Sequence, residues 1–573
     1  MRFHFINDYI IIMKKFLYYT AATHRFLRRN LAFITEFFFA SFLSFAWYLV
    51  KGERTDVMIC YGFTLFFAVM LITRLINCID NDWKRTALKG ILLIVTVPVG
   101  ILELFVMYNY GAVLGAGVVG ALLETNFNES VEFLRMYVGP LEVFYAAALL
   151  IFIYQFHRRK LWLRVPWSGR TAARITAVFL LIASVYTVRM VTEYYEIFYR
   201  PFLPLHRFVL ALDVAVENML AYNELRKEAV TEIRLTRNDS SIRDVVFILG
   251  ESTNRNHMSL YGYYLLNTPL LQELKDKEEI AVYTDVVSPH SNTIPVLQKL
   301  FTFSHNESDK PWYKYNNLID IMNAAGYKTH WLSNQESSGI WGNVAQYYGE
   351  RSDVHRYTRL RESREDEGIL DEELFPLIDE AIANRDDKKN FFVIHLMGGH
   401  GLYYNRYPYS FHKFTEKDIK LNVNESHKLI VAEYDNALYY NDYVVTEIIN
   451  RFRDTESLVI YLPDHGEAVY DEGASFAGHI EENANRHMIE VPLIFWASEK
   501  FREKYPDKWA RIVSCTDRPY MTDDMIHTVL DLVDVATEDY EPGRSIVNSR
   551  FDYDRIRIFD GADYDREIKE DHE

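Results

Sequence analysis

Five long apolar runs crowd the first third of the chain, at residues 31–50, 57–76, 87–107, 141–156 and 173–191, and nothing else in the sequence limits its fold so strongly. A membrane-spanning helix needs about 20 mostly apolar residues. Any single run could be a buried helix of a large soluble protein, but five in succession predict a multi-pass anchor. Lys14, Lys15, Arg25, Arg28 and Arg29 precede the first run. That run is longer than a signal-peptide core and no small-residue cleavage site follows it, so it reads as a retained span.

Lys and Arg mark the loops that stay in the cytoplasm. They concentrate in the N-terminal arm, in the second connection (Lys84, Arg85) and in the fourth (Arg158, Arg159, Lys160, Arg164). The third connection, 108–139, carries Glu124, Glu129 and Glu132 against Arg135. Five spans with the N-terminus inside put everything after Val191 outside the cell membrane. The division expected is a membrane domain at 1–191, interfacial linker helices at 192–237, where aromatics alternate with charges, and a soluble domain at 238–573.

In the soluble part, 245–249, 391–396 and 458–462 are short continuous apolar runs, of the kind buried on both faces of a parallel sheet. Helical stretches such as 317–325 and 426–452 separate them. The alternation predicts an α/β domain with a mostly parallel sheet and helices on both faces. The formal charge of -17 excludes a generic nucleic-acid binder, which needs clustered Lys and Arg. Three cysteines, two of them in or beside apolar runs, leave no disulfide framework.

Chemistry in open α/β sheets sits beyond the carboxyl ends of the strands. Glu251 follows the first strand, His395 and His400 the middle one, Asp464 and His465 a later one. Two carboxylates and an imidazole suit zinc or manganese, although strand-end acids also serve as helix caps. The stretch 288–295 precedes a helical run at 296–301, with Thr293 at its start. Thr293 can cap that helix, or carry a phosphoryl group whose charge the helix terminus stabilises.

The ordered motifs VVFILGESTNRNHMSLYGY (245–263), SPHSNTIPVLQKLFTF, HLMGGHG, YLPDHGEAVYDEG and Phe476-Ala-Gly-His479 resemble the phosphoethanolamine transferases that modify lipopolysaccharide. The similarity is greater to the branch acting on core sugars than to the lipid A branch that includes the mobile colistin-resistance enzymes. It implies an alkaline-phosphatase-like fold, a zinc site (with manganese as the other candidate) on Glu251, Thr293, Asp464 and His465, and Thr293 as nucleophile with Thr253 as its rival. It implies that His400 and His479 meet the donor phosphate or serve a second metal. Thr125 and Glu129 are similar to the motif that grips the ethanolamine head, although Ala121 stands where some relatives have Asn.

Phosphatidylethanolamine as donor, lipopolysaccharide as acceptor, a monomeric state, and an inner-membrane protein with a periplasmic catalytic domain follow as expectations. A lysine that some relatives carry near 334–339 is missing. The nearest rival is a phosphoglycerol transferase using phosphatidylglycerol, which an acidic pocket at Glu129 disfavours. A true sulfatase would carry C-x-P-x-R or S-x-P-x-R at the nucleophile, whereas this chain reads Thr293-Ile-Pro295-Val-Leu297.

Overall fold

Three of the apolar runs become helices long and apolar enough to cross a membrane: Thr55–Asn77, Asp82–Tyr110 and Arg174–Glu193. The computed structural model describes residues 2–45, 55–124, 147, 151, 169–194, 202–225, 233–336, 344–359, 369–385, 388–473 and 476–569. The first expected span is helical as far as Phe42, with its last five residues outside the described ones. The fourth, 141–156, lies outside them except at 147 and 151. Five spans are therefore more than the described residues display.

The chain forms two compact units, one of residues up to Val119 and 138–214, the other of 120–137 and the residues from Ala215 on. In the first, α1 (Arg2–Phe42), α2 (Thr55–Asn77) and α3 (Asp82–Tyr110) pack together with α4 (Gly169–Glu193). Gly100 lets α3 approach α1 closely: a Cβ there would stand 2.1 Å from the Ala40 carbonyl oxygen. Among the described residues, one ion pair is buried in this apolar surrounding. Arg207, in the first turn of α5 (Pro204–Leu225), donates from Nε and Nη2 to the two carboxylate oxygens of Glu103 at 2.7 and 2.6 Å, and Ser44 adds a 2.6 Å bond. A charge desolvated this far is tolerated only when both partners and their spare hydrogen-bonding positions are satisfied.

The second unit is built on a seven-stranded sheet. In chain order its strands are β1 (Asp244–Gly250), β2 (Ile280–Tyr283), β3 (Tyr327–Glu336), β4 (Val354–Arg359), β5 (Lys389–His395), β6 (Ser457–Pro463) and β7 (Leu493–Ala497), and across the sheet they run β2-β7-β6-β1-β5-β3-β4. The sheet is mixed. Strands β6, β1, β5, β3 and β4 pair in parallel, while β7 runs antiparallel to both β6 and β2.

Alternate residues of β1 feed two cores. Val245, Phe247 and Leu249 join one with Val296 and Leu297 of α6 (Thr293–Leu300), whereas Val246 and Ile248 join the other with Val431 and Leu438 of α7 (Glu425–Arg451). The period of two, with both faces apolar, is why β1 reads as a continuous hydrophobic run. Helices thus cover both faces, and the loops after β1, β5 and β6 emerge side by side: Leu249 pairs with His395, and Gly250 with Pro463.

Candidate active site

That register puts the residues following three adjacent strands at one edge. Glu251, Asp464 and His465 are buried, and one ligand atom from each lies within 4.8 Å of the others. His465 Nε2 stands 3.4 Å from Glu251 Oε1 and 3.4 Å from Asp464 Oδ2. The turn after β1 is tight enough to force Ser252 to a φ of 51°, a strained conformation for a residue with a Cβ. Its amide then donates to Asp464 Oδ1 at 3.2 Å and its hydroxyl to Glu251 Oε1 at 2.8 Å. Gly398 follows β5 because the chain there touches this turn: a Cβ would lie 2.6 Å from the Glu251 carbonyl oxygen.

Thr293 is the first helical residue of α6, after Asn292 as N-cap. Its hydroxyl lies 3.4 Å from Glu251 Oε2 and 3.4 Å from His465 Nε2. The oxygen thus faces the carboxylates and imidazole as well as standing at a helix N-terminus. Thr253, the rival, is fully buried and donates to the Glu251 carbonyl at 3.2 Å.

The donor set fits a divalent cation on three observations. Asp464 Oδ2 is buried without a hydrogen-bond partner. Burial, with Asp464 beside it, pushes the Glu251 carboxyl well above its usual range, as happens to paired carboxylates that lack a counter-ion. His465 Nδ1 lies 2.8 Å from the Gly466 carbonyl. A carbonyl only accepts, so Nδ1 carries a proton and Nε2 is the ring nitrogen left for a cation.

A second group adjoins the first. His479 lies tilted against His465, with ring centroids 4.1 Å apart and planes at 51°, and its Nδ1 is 2.7 Å from Glu467 Oε2. Tyr403 donates to Glu467 Oε1 at 2.6 Å. His400 lies five residues beyond β5, with its carbonyl held by Arg406 Nε at 2.7 Å. His395 is a neutral core histidine: burial pushes it down to about 4, and Ser333 Oγ lies 3.2 Å from its Nδ1. Thr125 and Glu129 lie outside the described residues.

Two participants escaped the sequence reading. Gln335, near the end of β3, donates to Glu251 Oε2 at 3.2 Å, within the stretch where some relatives carry a lysine. Its place at the carboxyl end of a parallel strand was the available signal. Glu467 was visible only as part of DHGE; its grip on His479 depends on the loop returning.

Behind the cluster, His257 is completely buried between Asp435 of α7 and Asp471, each 2.9 Å away. Burial opposes its charge, but Asp471 and Asp435 outweigh it and hold the imidazole protonated up to about 10. The three residues tie the loop after β1, helix α7 and the loop bearing His465 together. A pKa raised from about 6.5 contributes stability that is complete below pH 6.5 and lost as pH rises through 10. His257→Gln is expected to be less stable at neutral pH and to lose less stability than wild type between about pH 7 and 10. Melting temperature measured against pH for both proteins checks this.

A strand-end carboxylate and Asp-His pair facing a helix-start threonine, on an α/β sheet, suit phosphoryl or sulfuryl transfer of the alkaline-phosphatase type. The sulfatase family profile matches residues 243–535. Phosphoethanolamine transferase EptC of Escherichia coli O18:K1:H7 is 28% identical over 474 residues, spanning 77% of this chain and 79% of that one. The crystal structure of the C-terminal periplasmic domain of EptC from Escherichia coli, in complex with Zn, is 30% identical with a TM-score of 0.54, covering 59% of this chain and 96% of the other. The integral membrane protein lipooligosaccharide phosphoethanolamine transferase A of Neisseria meningitidis shares the fold over 90% of this chain and 98% of its own, at 22% identity and a TM-score of 0.65. The chain belongs to the sulfatase family and, within it, to the phosphoethanolamine transferases that modify lipopolysaccharide.

Proposed function

We propose that this enzyme moves phosphoethanolamine from phosphatidylethanolamine to lipopolysaccharide in two displacements through Thr293. The observation that carries the reading is the Thr293 hydroxyl, 3.4 Å from both Glu251 and His465 at the start of a helix. In the first displacement Thr293 Oγ1 attacks phosphorus, the bond to the glyceride oxygen breaks, and diacylglycerol leaves. In the second, a hydroxyl or phosphate oxygen of the acceptor takes the phosphoethanolamine and Thr293 is regenerated.

Glu251, Asp464, His465 and Thr293 would hold a zinc ion, which when bound supplies Lewis acidity for a nucleophilic threonine and for charge developing on the phosphoryl oxygens. The amides at the start of α6 face the same charge. His400 and His479 bind the phosphate oxygens, His479 being held by Glu467 at 2.7 Å; the proton lost by the Thr293 hydroxyl ends on the glyceride oxygen, and the acceptor's proton returns to Thr293 in the second displacement. Thr125 and Glu129 recognise the ethanolamine ammonium, where a carboxylate provides a charge-assisted partner.

The enzyme sits in a bacterial inner membrane through residues 1–191, with 192–237 at the headgroup level and 238–573 in the periplasm. Support comes from the three apolar helices and from the periplasmic domain of the EptC relative. Full-length protein given fluorescent phosphatidylethanolamine is expected to release diacylglycerol, and phosphatidylglycerol is expected to remain intact. Turnover of the glycerol lipid alone would replace this reading with a phosphoglycerol transferase.

A further inference from the structure

The helix that carries Thr293 ends at a cleft which the two displacements leave unused. Gln298, Lys299, His305, Asn306, Lys310 and Trp312 contribute to its lining, and its volume is about 220 Å³. Pockets for drug-sized ligands run from roughly 300 to 1,000 Å³, so this one suits a single ring with its substituents.

Asn306 Nδ2 already meets the Pro289 and Ile558 carbonyls and His305 Nδ1 lies 2.7 Å from Glu307, which leaves the Lys299 and Lys310 ammonium groups for a ligand. Lys299 is half-buried, and its three acidic neighbours are engaged elsewhere: Glu307 and Asp523 with Arg555 at 3.0 and 2.8 Å, Glu481 with His290 at 2.6 Å. Burial holds the Lys299 ammonium below its usual range, an effect that Asp523, Glu307 and Glu481 only partly offset. The Trp312 indole is partly buried against the core with its Nε1 enclosed, so what it offers a ligand is the face of its ring. Lys310 adds a second ammonium, and Asp309 is an acceptor at the rim for a hydroxyl.

Ammonium groups, an indole and an isolated hydroxyl acceptor match an anionic sugar. They do not match the donor, whose ethanolamine end is itself a cation. The placement also favours the acceptor. Gln298 and Lys299 stand five and six residues past Thr293, about 8–9 Å along the helix at roughly 1.5 Å per residue. Asn306 Nδ2 donates to the carbonyl of Pro289, four residues before Thr293, at 3.2 Å. A subsite at that distance holds the residue beside the one that reacts.

Resting on the transferase reading above, we propose that this cleft is an acceptor subsite, which binds a phosphorylated sugar next to the one being modified, with Lys299 on its phosphate and Trp312 against its ring. The test uses full-length enzyme, fluorescent phosphatidylethanolamine, and deacylated lipopolysaccharide either with its phosphates or after phosphatase treatment. Lys299→Met should raise the acceptor KM at least tenfold with kcat held within about threefold, and Lys299→Arg should recover most of the affinity. Phosphatase treatment should weaken the acceptor for wild type and make no further difference to Lys299→Met. An unchanged acceptor KM in Lys299→Met overturns the subsite, as does a loss confined to kcat or to donor cleavage. Wild-type enzyme that cleaves no phosphatidylethanolamine would instead overturn the transferase reading itself.

Discussion

Thr293→Ala is expected to abolish diacylglycerol release, with a fall of at least about 10³-fold that no acceptor or donor concentration restores, as the proposed covalent role of its hydroxyl requires. The hydroxyl faces Glu251 and His465 instead of filling a core, so the variant is expected to keep its fold. Thr253→Ala behaves in the opposite way. That hydroxyl is buried, donates to the Glu251 carbonyl and lies 3.4 Å from Tyr461 Oη, so stability falls while turnover stays within about tenfold of wild type. Turnover with each variant, beside its circular dichroism and metal content, separates the two threonines. Full activity in Thr293→Ala would transfer the nucleophile to another residue.

Metal removal has an effect of comparable size. Dialysis against a chelator is expected to reduce turnover at least about 10²-fold, and one equivalent of zinc to restore it. Asp464→Asn should bind zinc more weakly and remain inactive after zinc is returned, since it removes a charge from the carboxylate whose Oδ2 has no other partner. Zinc per protein, measured by plasma mass spectrometry, supplies a readout independent of activity. A chelator-treated enzyme that retains both turnover and a full complement of substrate-binding affinity would remove the ion from the mechanism. In the metal-free protein Glu251 keeps its raised pKa from burial and Asp464, so its affinity for zinc should weaken as pH falls, when a proton competes for the same oxygen.

The elements with local causes were legible residue by residue. The apolar runs at 57–76, 87–107 and 173–191 correspond to helices of membrane-spanning length because twenty apolar side chains leave a chain few other fates. The run 245–249 lies within β1, and 458–462 within β6, because strands covered on both faces carry no polar interruption. Thr293 opens α6 as its place before an apolar period predicted. Glu251, Asp464 and His465 could be named as candidates because each follows a strand, and catalytic groups on this kind of sheet gather at strand ends.

What the sequence determined by itself was therefore the inventory: membrane-length helices, buried strands, and the polar residues at their ends. The tertiary structure decided which of these meet. Strand order is set by pairings between segments more than 200 residues apart in the chain, such as Asp244 with Ser457, and no local pattern encodes them. That order brings Gln335 to Glu251, and the return of the loop after β6 places His479 against His465. The same holds in the helical unit, where Glu103 and Arg207 pair across 104 positions. Burial then settled the chemistry of each group. It left His395 neutral and, with two aspartates beside it, kept His257 charged, because the cost of a buried charge depends on the partners that only the folded chain supplies.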